Sequence, residues 1–214
     1  MIAHALHIIV NEMNRYLDGY YIGTPSTDNV KVELGNIGMG IGDPGIGVPK
    51  DKIILTIVNY KEEKTLKNLP NFVRNDSALK ITYENPPIFL NFLILLTSTR
   101  SFYKSALLDL SRVIRFFQSQ NVFSPDNVAP DSLLTDPGDG THMDQLETFK
   151  MIFDLYSPSM EEVNHLWGTL GGKQYPFVLY MMRMIDLKFR IVQSESGLIT
   201  EVQSDFYHKN PTGN

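Results

Sequence analysis

Two apolar runs, "KIILTIVNY" at 52–60 and "PPIFLNFLILLTST" at 86–99, do most to limit the folds open to this chain. The first is apolar on both faces near its middle, and the second reads as another buried strand. Strands without a wet face lie in the interior of a sheet, with something packed on either side. The most apolar part of the second run, "IFLNFLILL", is about nine residues long and contains Asn91. A membrane-spanning helix needs about 20, so a span is not expected here.

The remaining segments supply partners for such a sheet. Residues 2–20 carry Ile2, Leu6, Ile9, Val10, Met13, Leu17 and Tyr20 on one stripe, with Asn11, Arg15 and Asp18 opposite, as an amphipathic helix requires. Residues 102–120 predict a second helix, with Tyr103, Ala106, Leu107, Leu110, Val113, Ile114 and Phe117 facing inward. Val30, Val32 and Leu34 alternate with Lys31 and Glu33 as a short strand, and "QLETFKMIFDLY" reads as another. A short helix follows in "SPSMEEVNHLWGTLGG". Ser159 and Glu162 fit a capping box, or Ser157 caps with Pro158 first in the helix. Gly171 and Gly172 fit its left-handed stop. Residues 176–191 predict the longest strand, buried on both faces at first and then wet on the side of Asp186, Lys188 and Arg190.

Helices do not alternate strictly with strands. The expectation is an α+β fold: a mixed, largely antiparallel sheet packed by two longer helices and one short one. One domain is expected over 1–192, with a glycine-rich loop at 35–50 and an Asp/Pro-rich loop at 124–144. Residues 61–80 read as a polar excursion, and 193–214 as a flexible tail.

Composition removes several functional classes. The net charge of −5 lacks the basic face that nucleic acid demands. There is no cysteine to form a disulfide, a thiolate metal site or a thiol nucleophile. His4, His7, Glu12 and Arg15 interrupt the opening segment, so it does not read as a signal peptide; synthesis in the cytoplasm is expected.

Gly40, Gly42 and Gly45 stand in the spacing G-x-G-x-x-G. A dinucleotide fingerprint works where a strand delivers these glycines to a helix N-terminus. Here "IGVPKDKIILTIV" opens a strand, and Pro44 removes an amide donor. Gly42 and Gly47 have the P-loop spacing, but Val48 and Pro49 replace Lys and Ser/Thr. Gly38, Gly40, Gly42, Gly45 and Gly47 are instead expected to make a mobile lip. Asp136, Asp144 and Glu147 match three calcium-loop positions, but Thr141 occupies the obligatory glycine. His4 and His7 lie one helical turn apart without a third ligand in sight, and His165 is tied to no serine or carboxylate. No enzyme constellation and no cofactor are expected.

Three stretches carry a family resemblance: "KIILTIVNYKEEKTLKN", "NPPIFLNFLILLTSTRSFYKSALLDLSRVIRFFQSQNVF" and "EEVNHLWGTLGGKQYPFVLYMMRMI". The last is the most specific, through Asn164, His165, Leu166, Trp167, Gly168, Leu170, Gly171, Gly172, Pro176, Tyr180 and Arg183. The N-terminal helix and "VELGNI" also fit. Over about residues 1–192, apart from the glycine-rich insert, the chain resembles cap, or tail-terminator, proteins of extracellular contractile injection systems, which are phage-tail-like particles. The resemblance implies a structural role without catalysis. It implies a homohexameric ring that ends the inner tube and closes the contractile sheath at the distal end of a particle, released or held in the cell. Sheath and tube subunits are the implied partners. His165, Trp167, Gly171, Gly172, Tyr180, Arg183, Asp186, Lys188 and Arg190 are the candidate structural or interface residues, and Trp167 is expected to anchor the short helix on the sheet. Two alternatives stay open: a soluble nucleotide- or ligand-binding domain using 38–47, and a neck or completion protein of another contractile tail.

Overall fold

A computed structural model describes residues 1–20, 31–43, 46–66, 70, 72–75, 79–84, 88–133, 145–146, 149–187, 192–197 and 202–204. In chain order the elements are α1 (Ile2–Asp18), β1 (Val32–Leu34), β2 (Ile53–Glu62), β3 (Phe72–Asn75), β4 (Lys80–Glu84), β5 (Ile88–Ser98), α2 (Tyr103–Ser119), β6 (Val122–Phe123), α3 (Pro130–Leu133), β7 (Met151–Tyr156), α4 (Met160–Thr169), β8 (Phe177–Leu187) and β9 (Val192–Gly197). They fall into two units. One comprises Met1–Leu66 with Ile88–Leu187, the other Lys67–Pro87 with Lys188–Asn214.

The larger unit is built on a six-stranded sheet in the order β1-β2-β5-β8-β7-β6. Its first pair is parallel and the others antiparallel, which makes the sheet mixed but mostly antiparallel. The two apolar runs became β2 and β5, interior neighbours paired with Ile54 opposite Thr97 and Leu55 opposite Leu96. Successive residues point to opposite faces of a strand. Ile53, Leu55, Phe92, Ile94, Tyr180 and Met182 join α1 and α2 in one core. Ile54, Leu95 and Leu179 join Trp167 of α4 in a second core on the other face. The two-sided apolarity of the runs is therefore two separate cores sharing one sheet. Full burial of an aliphatic side chain on either face contributes about 1.5–3 kcal/mol.

The α1 helix also manages polar groups. Asn14 Nδ2 donates to the Val32 carbonyl at 2.9 Å, and its Oδ1 accepts from the amides of Lys31 and Val32 at 2.7 and 2.8 Å. This side-chain amide occupies the outer edge of β1 as a neighbouring strand would. His4 is buried, with Nε2 donating to the Leu133 carbonyl at 3.1 Å and Nδ1 accepting from the Leu146 amide at 2.9 Å. Glu12 accepts from the Ala129 amide at 2.8 Å and from the Ser132 hydroxyl at 2.6 Å.

The smaller unit holds a three-stranded antiparallel sheet in the order β3-β4-β9. Two expectations are corrected by it. Residues 61–80, read as a polar excursion, supply β3 and the first residue of β4. Residues 193–197, assigned to a flexible tail, belong to β9, which pairs with β4 from Lys80 opposite Gly197 to Glu84 opposite Val192. Of residues 176–191, expected as the longest strand, Phe177–Leu187 form β8, and 188–191 lie outside the described residues. The inward face of α2 is corrected too. Tyr103, Leu107 and Ile114 are exposed, while Asp109 and Phe116 are buried. Asp109 tolerates burial because Arg100 Nε donates to its carboxylate at 3.0 Å and Ser98 Oγ at 3.3 Å.

Candidate functional site

The most distinctive segment, 157–183, folds as sheet-to-helix-to-sheet. α4 begins at the capping box the sequence suggested. Ser159 Oγ accepts from the Glu162 amide at 3.2 Å, and the Glu162 carboxylate accepts from the Ser159 amide at 2.7 Å. The Tyr156 hydroxyl adds a third hydrogen bond to Glu162 at 2.7 Å. The Ser159 amide first, and Tyr156 second, hold the Glu162 carboxyl below its ordinary range. The same bond pushes the Tyr156 phenol up. At the other end Gly172 donates to the Trp167 carbonyl at 2.7 Å, closing the helix as a Schellman turn. Gly171 and Gly172 have φ of +95° and +76°, which L side chains rarely adopt.

Between these ends α4 divides cleanly. Trp167 is 4% exposed and sits edge-on to Phe177 at 5.4 Å, with Tyr175 at 6.1 Å. Its indole N–H has no hydrogen-bond partner among the described residues. His165, two positions earlier, is exposed. Trp167 is therefore an anchor of the second core, as expected for it, and His165 belongs to the outer surface.

The other residues of the motif are dispersed. Tyr180 is buried under α2, its ring 4.4 Å from Phe117, and burial pushes its phenol up to about 12. Arg183 pairs with Asp154 of β7 at 2.9 Å, both partly exposed. Asp186 lies in β8 opposite Phe89. Lys188, Arg190 and Gly45 lie outside the described residues, as do Asp136, Asp144 and Glu147 of the calcium-like pattern.

The glycine segment folds back on itself. Asn36 Oδ1 accepts from the Gly38 amide at 3.0 Å and begins a 3-10 turn over Ile37–Met39. Gly40 follows at φ +73°. The Val48 amide donates to the Gly40 carbonyl at 2.8 Å, and the Gly42 amide to the Val48 carbonyl at 3.1 Å. Gly47 donates to the Asp43 carbonyl at 3.1 Å. A Cβ on Gly47 would lie 2.7 Å from both the Gly40 oxygen and the Gly42 nitrogen. Ile37 and Val48 are buried with Trp167, so both ends of the segment are seated where composition suggested a mobile lip. Phosphate binding needs a helix N-terminus or a row of unspent amides. The segment leads to β2, and the amides of Gly38, Gly40, Gly42 and Gly47 already donate within it.

The sequence offered no third ligand to the histidine pair, and both ring nitrogens of His4 are engaged with the main chain. Burial first, and His4 second, lower the His7 pKa. Among the described residues no group of three or more His, Asp or Glu side chains could hold a metal ion. No described helix is long and apolar enough to cross a membrane. The residues that sequence reasoning missed are the exposed apolar ones of α2. Their signal was present as apolar positions beyond one helical stripe.

The Pvc16 N-terminal domain family profile matches residues 5–201. The chain belongs to this family. The match runs through the glycine-rich segment, which the resemblance had left aside. No curated protein matches the chain in sequence. Among solved structures, the sheath and tube terminator of PVC, an extracellular contractile injection system, seen in its extended state by cryo-electron microscopy, is similar at a TM-score of 0.53 and 12% identity. That likeness covers 95% of this chain and 65% of the other. The tube-terminating cap of the anti-feeding prophage is similar at 0.53 and 14%, covering 96% of this chain and 62% of the other. This Pvc16_N chain thus spans less than two thirds of the length of the solved chains it matches, and at such identities the likeness is one of fold.

Proposed function

We propose that this chain is a structural cap, a terminator of the inner tube and contractile sheath at the distal end of a phage-tail-like injection particle. The observation that carries this reading is the Pvc16_N match over 5–201, joined by the fold shared with two terminators over nearly all of the chain. The cap works as a homohexameric ring touching tube and sheath subunits, needs no cofactor and carries out no bond-making chemistry. It is made in the cytoplasm and ends up in the particle. Its task is one of surfaces: one face matches the last ring of the polymer, and the other fails to template another ring.

The far half of β8 suits the sheath contact. Met184–Leu187 continues past Arg183, the last residue paired with β7, while β5 still pairs along its other side. A sheath strand added to that flank would gain main-chain hydrogen bonds. The experiment is assembly of particles with the gene removed. Tubes and sheaths of unregulated length with unfinished ends are expected; normal length and normal ends would overturn the reading.

A further inference from the structure

The α1 helix fastens the chain between residues 129 and 146 at two points that differ in chemistry. Glu12 is one: its carboxylate accepts from the Ala129 amide at 2.8 Å and from the Ser132 hydroxyl at 2.6 Å. His4 is the other. It is 2% exposed, with Nε2 bonded to the Leu133 carbonyl at 3.1 Å and Nδ1 to the Leu146 amide at 2.9 Å. One ring therefore ties α1 to two residues on either side of 134–144, which lie outside the described residues.

The two partners fix the protonation state of that ring. A main-chain amide only donates and a carbonyl only accepts. Nδ1 must carry a lone pair and Nε2 the proton, which is the neutral Nε2–H tautomer. A second proton has one place to go, Nδ1, where it meets the Leu146 N–H. The bond to Leu146 does not survive that; the bond to Leu133 does. The setting is a poor one for the added charge. His4 lies in the first turn of α1, at the positive end of the helix dipole. The other titratable groups at that end, the Met1 amino group and His7, are both basic. The His7 Nδ1 is buried and has no hydrogen-bond partner among the described residues. α3 brings Asp131, which is exposed, and 145–146 bring no charged residue; His142, Asp144 and Glu147 lie outside the described residues. The charged residues of β1 and α2 are otherwise engaged: Lys31 donates its amide to Asn14, Glu33 pairs with Lys52, and Arg112 and Arg115 stand beside Tyr20.

We infer that His4 is an acid-released clasp: a proton taken up at Nδ1 frees the Leu146 amide, while Glu12 keeps Ala129 and Ser132 in place. The sign follows from the bond itself, which needs the neutral ring and fails as pH falls. His7 acts in the same sense. Its folded value lies below 6.5, through burial first and His4 second, so the fold favours the neutral ring. That contribution to stability is present above pH 6.5 and is lost as pH falls through the folded value. Carboxylates ordinarily take up protons roughly two units below imidazoles, so mild acid addresses the histidine fastening. The opening is local, because the pairing of β2 with β5 draws on neither bond.

The test is amide hydrogen exchange on the full chain, resolved by NMR at about pH 7.5 and about pH 5.5, each rate referred to the intrinsic rate at that pH. Protection of the Leu146 amide is expected to fall about tenfold or more between the two, while that of Ala129, and of Leu55 and Leu95 in the sheet, stays. His4→Gln keeps one acceptor and one donor on a group that does not titrate. Its Leu146 amide is expected to be equally protected at both pH values. His7→Gln is expected to leave the acid response of Leu146 in place. Should His4→Gln fail to fold or to bond Leu146, the ring nitrogens of the parent decide: the Nε2–H tautomer is expected at neutral pH, and the imidazolium where Leu146 protection is lost. Leu146 protection unchanged in acid, a loss shared by Ala129 or the sheet, or a His4 ring still neutral once Leu146 has opened would each overturn the proposal. So would an acid response kept in a folded His4→Gln that bonds Leu146, or one abolished in His7→Gln.

Discussion

Gly47 owes its identity to close approach, since the Gly40 oxygen and the Gly42 nitrogen fill the space a Cβ would need. Such a requirement is set by main chain several residues away, and no dipeptide pattern announces it. Gly171 and Gly172 were legible because a helix stop is local chemistry. Tyr180 shows the opposite limit. It belongs to the same motif as Arg183, yet one is buried beside Phe117 and the other lies at the surface beside Asp154. Burial raises the Tyr180 phenol to about 12 from the model-compound value of 10.0. The sign follows from linkage. Below pH 10 the phenol is neutral in both states and its burial is harmless. Between pH 10 and about 12 the unfolded chain loses the proton and the folded chain keeps it, so stability falls as pH rises through that window. Tyr180→Phe is expected to flatten this part of a curve of unfolding free energy against pH, measured in denaturant. An unchanged slope would show that Tyr180 is not buried as described.

At the scale of elements, α4 is the clearest success of sequence reasoning and α2 the clearest miss. The ends of α4 were written in Ser159, Glu162, Gly171 and Gly172, and its seating in a single large aromatic residue. Trp167→Ala is expected to destabilise the larger unit by about 3–5 kcal/mol. In a chain of this size that corresponds to a fall in melting temperature of roughly 10 °C, measured by calorimetry. Trp167→Phe should recover most of the loss, since it refills the space edge-on to Phe177 and removes the unpartnered indole N–H. An alanine variant that melts like the parent would contradict the burial. The α2 helix was misread because its apolar residues exceed one stripe, and periodicity alone could not choose between Ile114 and Phe116. Asp109 hid the answer further: a carboxylate reads as an outward position unless Arg100 and Ser98 are known to meet it.

At the scale of the whole molecule, the central sheet was foreseeable and the smaller unit was not. β2 and β5 announced themselves by their apolar content. β3, β4 and β9 are short and polar, and β9 reaches its partner β4 from more than a hundred residues along the chain. No local pattern carries that pairing. An isolated pair of strands is marginal in water. Removing residues 192–214 is therefore expected to strip hydrogen-exchange protection from Ile81, Thr82 and Tyr83 and leave that of β2 and β5 intact. Protection retained at 81–83 would mean that β9 is dispensable. Asn14 has a consequence of its own. A carboxamide on a helix satisfies the first outward rung of β1 and offers nothing onward, so the hydrogen-bonded ladder is sealed on that flank. The sheet is thus polar from side to side, like a zip with a stop sewn at one end.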